Sequence, residues 1–159
     1  MKVVLSSGCP STPRFASGPP PHPAKPARED KEVRFAGYAA VFDRVDQGGD
    51  VIAAGAFGRL PAAVPLLWEH RAGAPIGMVE RVAQDRRGLR VIGRVSDARA
   101  ARLLRDGALD GLSFGYRVTG AEGSGPRRLT GLELVEVSLV AFPMQKLARV
   151  HAIAPPAAG

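Results

Sequence analysis

A lone cysteine, Cys9, is all the thiol chemistry available to this chain. One cysteine rules out an internal disulfide and any cysteine-built zinc site, and it fits a reducing compartment. Cys9 lies between Gly8 and Pro10 in a stretch without periodicity, where a nucleophile would lack a rigid supporting shell. Histidines are scarce and scattered, at His22, His70 and His151. Their spacing matches neither a zinc finger nor His-Glu-x-x-His, so no metal or other cofactor is expected. The Gly-x-x-x-x-Gly-Lys-Ser/Thr loop is absent, as is a dinucleotide fingerprint after a strand, which removes most nucleotide-dependent chemistry. Apolar runs fall far short of the ~20 residues of a membrane-spanning helix. The opening Met1–Leu5 stops at Ser6-Ser7-Gly8, short of the ~7–15 apolar residues of a signal-peptide core. The chain therefore reads as cytosolic.

What is present is an ordinary globular balance, 45% apolar and 23% charged over 159 residues, which points to one domain with a real core. The net charge of +7 permits acidic partners. The arginines are scattered, however, from Arg59 through Arg105, with no long basic run and no interleaved aromatics. A solvated basic surface is the better reading than a specific nucleic-acid site.

The chain divides into a proline-rich tail over 1–32, a domain over 33–152 and a frayed end over 153–159. Pro10, Pro13, Pro19, Pro20, Pro21, Pro23 and Pro26 deny the first segment a helix or central strand, and His22 is discounted with it. Within the domain, strands are expected at 33–42, 64–68, 76–82, 89–95, 111–118 and 129–140. Asp85-Arg86-Arg87-Gly88 reads as a hairpin turn. One helix is expected from the cap Asp97 through Arg105, ended by Gly107, and a second, short one within 54–63. Six or so strands and two helices suggest a mainly β fold, a closed or nearly closed β-barrel with short helices packed outside.

Two segments carry candidate chemistry. Gly111-Leu112-Ser113-Phe114-Gly115 has the spacing of a nucleophile elbow, but an elbow needs a helix directly after the serine, and Tyr116-Arg117-Val118 continues as a strand. Ser113 still has open backbone on both sides, as a nucleophile approached by a peptide requires; a plain strand serine is the alternative. His70 ends the apolar run Leu66-Leu67-Trp68 and is the histidine inside the expected core, a structural residue or the base that a serine nucleophile needs. Glu136 lies in an apolar strand and shares a face with Leu134, Ser138 and Val140, while Glu133 points the other way. A carboxylate there needs a partner or faces water from an edge strand.

From Gly37 to about Val150 the chain resembles the prohead protease family of tailed phages, which includes gene-transfer-agent proteins. The resemblance rests on Gly37-Tyr38-Ala39-Ala40-Val41-Phe42, Asp50-Val51-Ile52, Gly55-Ala56-Phe57, Pro65 to His70, Pro75-Ile76-Gly77, Arg87-Gly88-Leu89, Leu109 to Tyr116, Glu136 to Val140, and Phe142-Pro143-Met144, in family order. It implies an assemblin-like barrel and a serine endopeptidase with catalytic His70 and Ser113. Glu136 is the third member, with His151 as the lesser candidate because assemblin uses a second histidine. The resemblance leaves the oxyanion donor open between backbone amides near Ser113 and an arginine such as Arg149. It also implies the partners: scaffold and the amino-terminal region of the major capsid protein as substrates, self-cleavage, the portal as a neighbour, and a homo-oligomer inside the assembling prohead in the host cytoplasm, with no membrane and no specific nucleic acid. A catalytically inactive scaffold or assembly protein of the same fold is the alternative function.

Overall fold

A computed structural model describes residues 32–154; Cys9, His22, the proline-rich segment and residues 155–159 lie outside it. Alternating apolar residues become strands with one buried face: β1 (Val33–Val41), β2 (Asp50–Ile52), β3 (Val64–Trp68), β4 (Arg71–Gln84), β5 (Gly88–Val95), β6 (Gly111–Glu122), β7 (Arg127–Val140) and β8 (Val150–Ala154). Their sheet order is β2-β7-β3-β4-β5-β1-β8, with β6 paired to β7. Phe35, Phe57, Leu66, Val79, Leu89, Leu112, Val137 and Leu139 form the centre of the core, each nearly or wholly shielded from solvent. Each large apolar side chain so buried contributes about 1.5–3 kcal/mol.

The one helix among the described residues, α1 (Ala98–Arg105), follows its sequence signals closely. The Asp97 carboxylate accepts from the Ala100 N–H at 2.8 Å. Ala100, Ala101 and Leu104 are buried, Arg102 and Arg105 sit favourably in the last turn, and Gly107 at φ 71° ends it. The Asp85 turn is also as expected: its Oδ1 accepts from the Arg87 and Gly88 N–H groups, closing the β4–β5 hairpin.

Three expectations are corrected. No helix forms within 54–63, because Gly55 and Gly58 take φ 77° and 52°, left-handed conformations that a helix cannot contain. The segment is instead a run of turns, tied by Ala56 N–H to Ala53 O and Gly58 N–H to Gly55 O. Residues 150–154, expected mostly beyond the last strand, form β8 against β1, and His151 lies on it. The sheet is not closed into a barrel ringed by helices. After Val140 the chain leaves strand geometry around Pro143, and no strand ladder joins β6 to the far side of the sheet: the link is an isolated bridge, Gly111 to Arg149, with the hydrogen bonds Leu112 N–H to Ala148 O and Val150 N–H to Asp110 O beside it.

Close strand approach accounts for Gly88. A Cβ there would lie 1.9 Å from the Ala40 carbonyl oxygen and 2.8 Å from its carbon, backbone atoms of the paired β1 that cannot rotate away. Gly88→Ala is expected to destabilise the fold by about 2 kcal/mol or more, the range of severe packing lesions. A urea midpoint unchanged from the wild type would refute this.

Candidate active site

Strand β7 positions the site. Its antiparallel pairing with β6 sets Ser113 opposite Ser138 and Gly115 opposite Glu136. Its parallel pairing with β3 sets Leu66, Leu67 and Trp68 beside Val137, Ser138 and Leu139. The chain then turns directly after Trp68, which pairs with Arg71, so Glu69 and His70 are the whole loop of a two-residue hairpin. Both take left-handed backbone, φ 47° and 60°. That geometry matches the twist of hairpin strands but favours asparagine and glycine; on other residues it costs about 1–3 kcal/mol each.

Hydrogen bonds to β7 and the residue after it hold this turn. The Glu69 N–H donates to the Leu139 carbonyl at 3.0 Å, and the Ala141 N–H donates to Glu69 Oε1 at 2.7 Å. The His70 N–H donates to Ser138 Oγ at 3.0 Å. Ser138 Oγ in turn donates to Glu136 Oε2 at 2.7 Å. The other oxygen, Oε1, meets His70 Nδ1 at 2.5 Å. A carboxylate on Nδ1 places the ring proton there and leaves Nε2 as the basic nitrogen. Glu136 is 8% exposed, so its charge in an apolar strand is compensated by these two partners.

His70 and Ser113 line one cleft of about 120 Å³, together with Ala39, Leu112, Phe114, Tyr116 and the loop residues Asp46, Met144 and Gln145. Ser113 is nearly buried, 8% exposed. Burial, and then Asp50 and Asp46, hold the Tyr116 phenol above its ordinary pKa, so that it lines the cleft as a neutral group.

The structure thus joins His70 to Glu136 directly and brings Ser113 into the same cleft. It places His151, Glu133 and Arg149 elsewhere. His151 lies tilted against Tyr38, with ring centroids 5.5 Å apart, and is outside the residues lining that cleft. Glu133 faces outward, 3.9 Å from Arg117. Arg149 is engaged by Asp110 Oδ1 at 2.6 Å and by the Lys146 carbonyl at 2.9 Å.

Sequence reasoning missed Ser138 and Gly115. Ser138 carried a signal, since it shares the Glu136 face by alternation, but a strand serine suggests no partner by itself. Gly115 is more informative. A Cβ there would lie 2.6 Å from Glu136 Oε1 and 2.8 Å from its Cγ, so the bare glycine is the space in which the carboxylate reaches His70.

Comparison with known proteins bears on the site's chemistry. A family described as caudovirus prohead serine protease has a sequence profile that matches residues 23–156. The prohead protease of Enterobacteria phage HK97 is 32% identical over 102 residues, covering 57% of this chain and 44% of that protein. The match therefore spans less than half the length of that relative. The KSHV protease solved with a hexapeptide phosphonate inhibitor superposes with a TM-score of 0.52 at 14% identity, over 77% of this chain and 65% of the other. The varicella-zoster virus protease gives 0.51 at 16%, over 76% and 63%. At such identities the likeness is one of fold, mainly β with little helix.

Two substitutions test the geometry. Ser138→Ala leaves Glu136 Oε2 and the His70 N–H without their protein partner and is expected to cost about 1–3 kcal/mol, read from the urea midpoint. Gly115→Ala is expected to abolish the downfield imidazole N–H resonance of the His70–Glu136 bond. Its persistence unshifted would show that Glu136 does not need the space.

Proposed function

Since the chain belongs to the caudovirus prohead serine protease family, we propose that it is a serine endopeptidase of capsid maturation, with Ser113 as nucleophile, His70 as general base and Glu136 as the group that orients the imidazole. The observation that carries this reading is the His70 Nδ1–Glu136 Oε1 contact of 2.5 Å at the edge of the cleft that Ser113 lines. Ser113 Oγ attacks the scissile carbonyl carbon while His70 Nε2 takes the hydroxyl proton. The same nitrogen returns it to the leaving amine, and water then releases the acyl group from Ser113 by the reverse proton path. Glu136 remains ionised and stabilises the imidazolium formed at each step. His151 is left out of this scheme, because it is not among the residues that line the cleft.

The substrates of this reading are scaffold and the amino-terminal region of the major capsid protein, met inside the assembling prohead in the host cytoplasm, together with the enzyme's own ends. No helix among the described residues is long and apolar enough to cross a membrane.

Co-expression with the neighbouring capsid gene, followed by mass analysis, tests the proposal. Ser113→Ala and His70→Ala are each expected to abolish cleavage, and the double variant to lose no more than either, because nucleophile and base act as a unit. Glu136→Gln should lower turnover roughly a hundredfold or more, with Glu133→Gln as the silent control. Wild-type cleavage by a folded Ser113→Ala protein would overturn the assignment. Purified wild-type protein is expected to shorten at its termini while Ser113→Ala stays full length; identical fragments from both would remove self-cleavage.

A further inference from the structure

Beside the cleft lies a second, larger depression of about 330 Å³, walled by Arg44, Val45, Met144, Lys146 and Leu147. It shares Asp46, Met144 and Gln145 with the cleft that His70 and Ser113 line, so the two depressions adjoin across a common wall. Its apolar residues are unusually open: Val45 is 63% exposed, Met144 52% and Leu147 49%, with Phe142 at 92% on the same loop. Such apolar side chains around a depression offer surface that a bound apolar group would cover.

The walls are held in place rather than left to adapt. Gln145 is buried, and its amide grips the end of β1 at both backbone groups: Val41 N–H donates to Oε1 at 2.7 Å, and Nε2 donates to Val41 O at 2.9 Å. The Gln47 N–H donates to the Met144 carbonyl at 3.0 Å, tying the two loops together. Asp46 Oδ1 is turned onto the Gly48 and Asp50 N–H groups at 2.8 and 3.0 Å. Arg44 and Lys146 form no salt bridge with the described residues, leaving two cations at the rim.

We propose that this depression is the specificity subsite of the enzyme, and that it takes a bulky apolar side chain of an extended substrate within a residue or two of the scissile bond. Its rim cations favour an acidic over a basic neighbour. The proposal rests on the reading of Ser113 as nucleophile. An extended chain advances about 3.3–3.6 Å per residue, so a peptide seated at Ser113 enters the adjoining depression with its next side chains. Preformed walls spare the ordering cost that a mobile loop would add to binding.

The test uses full-length Ser113→Ala protein, which retains its substrates, and fluorescein-labelled peptides of serine, alanine and glycine in which one leucine is walked along the chain. One register is expected to bind about tenfold or more tighter than its leucine-to-serine counterpart, the usual worth of filling an apolar pocket. Leu147→Glu, at a half-exposed position outside the core, should erase that gain with an unchanged melting temperature. Equal binding in every register, or a gain that survives Leu147→Glu, overturns the proposal. Labelling of wild-type Ser113 by a small fluorophosphonate separately tests the nucleophile. Labelling without register preference removes the subsite alone, and register preference without labelling removes the serine chemistry while the peptide-binding groove stands.

Discussion

The hydrogen-bond ladder of β7 is the constraint on which the rest depends. One edge of this strand is taken along its length by β6, and the other is shared in turn by β2 and β3. A strand paired on both edges has little freedom of register, because a slip of one residue would turn every side chain to the opposite face. Here that would move Glu136 and Ser138 away from Ser113 and His70 together. The buried Val137 and Leu139 on the other face make such a slip costly, since both are wholly shielded from solvent. Packing of Val137 and Leu139 thereby helps to fix the placement of Glu136 and Ser138, which alternate with them along β7.

A second consequence concerns strain. Glu69 and His70 hold left-handed conformations that neither residue prefers. The energy is offset by hydrogen bonds to β7 and Ala141, one of them made by the Glu69 side chain itself. A relaxed hairpin would carry the imidazole elsewhere. The turn is therefore strained at the residue whose ring meets Glu136, and the same Ser138 hydroxyl that anchors the turn also holds the Glu136 carboxylate. His70 and Glu136 are coupled through one hydroxyl as well as through their direct contact.

The loops of the groove follow a similar economy. Gln145 prolongs the β1 backbone pairing with a side-chain amide, so the 141–149 segment stays ordered although it has left strand geometry. This departure is also why the sheet remains open between β6 and β8. Across that opening Tyr38 N–H and Leu112 N–H donate to the carbonyls of Arg149 and Ala148, so the segment ties β1 and β6 together.

Much of this was legible without coordinates. Alternation gave six of the eight strands, Asp97 and Gly107 bounded the helix, and the ordered fragments from Gly37 to Met144 pointed to the family and to His70, Ser113 and Glu136. Short strands were lost because β2 has only three residues and β8 is largely exposed, so neither shows a period. The expected helix failed at Gly55 and Gly58, whose positive φ depends on tertiary contacts such as Leu132 N–H to Ala56 O. By itself the sequence determined composition, strand pattern and the residue types of the site, because those follow from local periodicity and side-chain chemistry. The tertiary structure alone decided that His151 lies outside the cleft lining, that Gly115 makes room for a carboxylate and that Ser138 joins Glu136 to the His70 turn. Those are relations between strands distant in sequence, and they exist only once the parallel and antiparallel ladders of β7 have set the register.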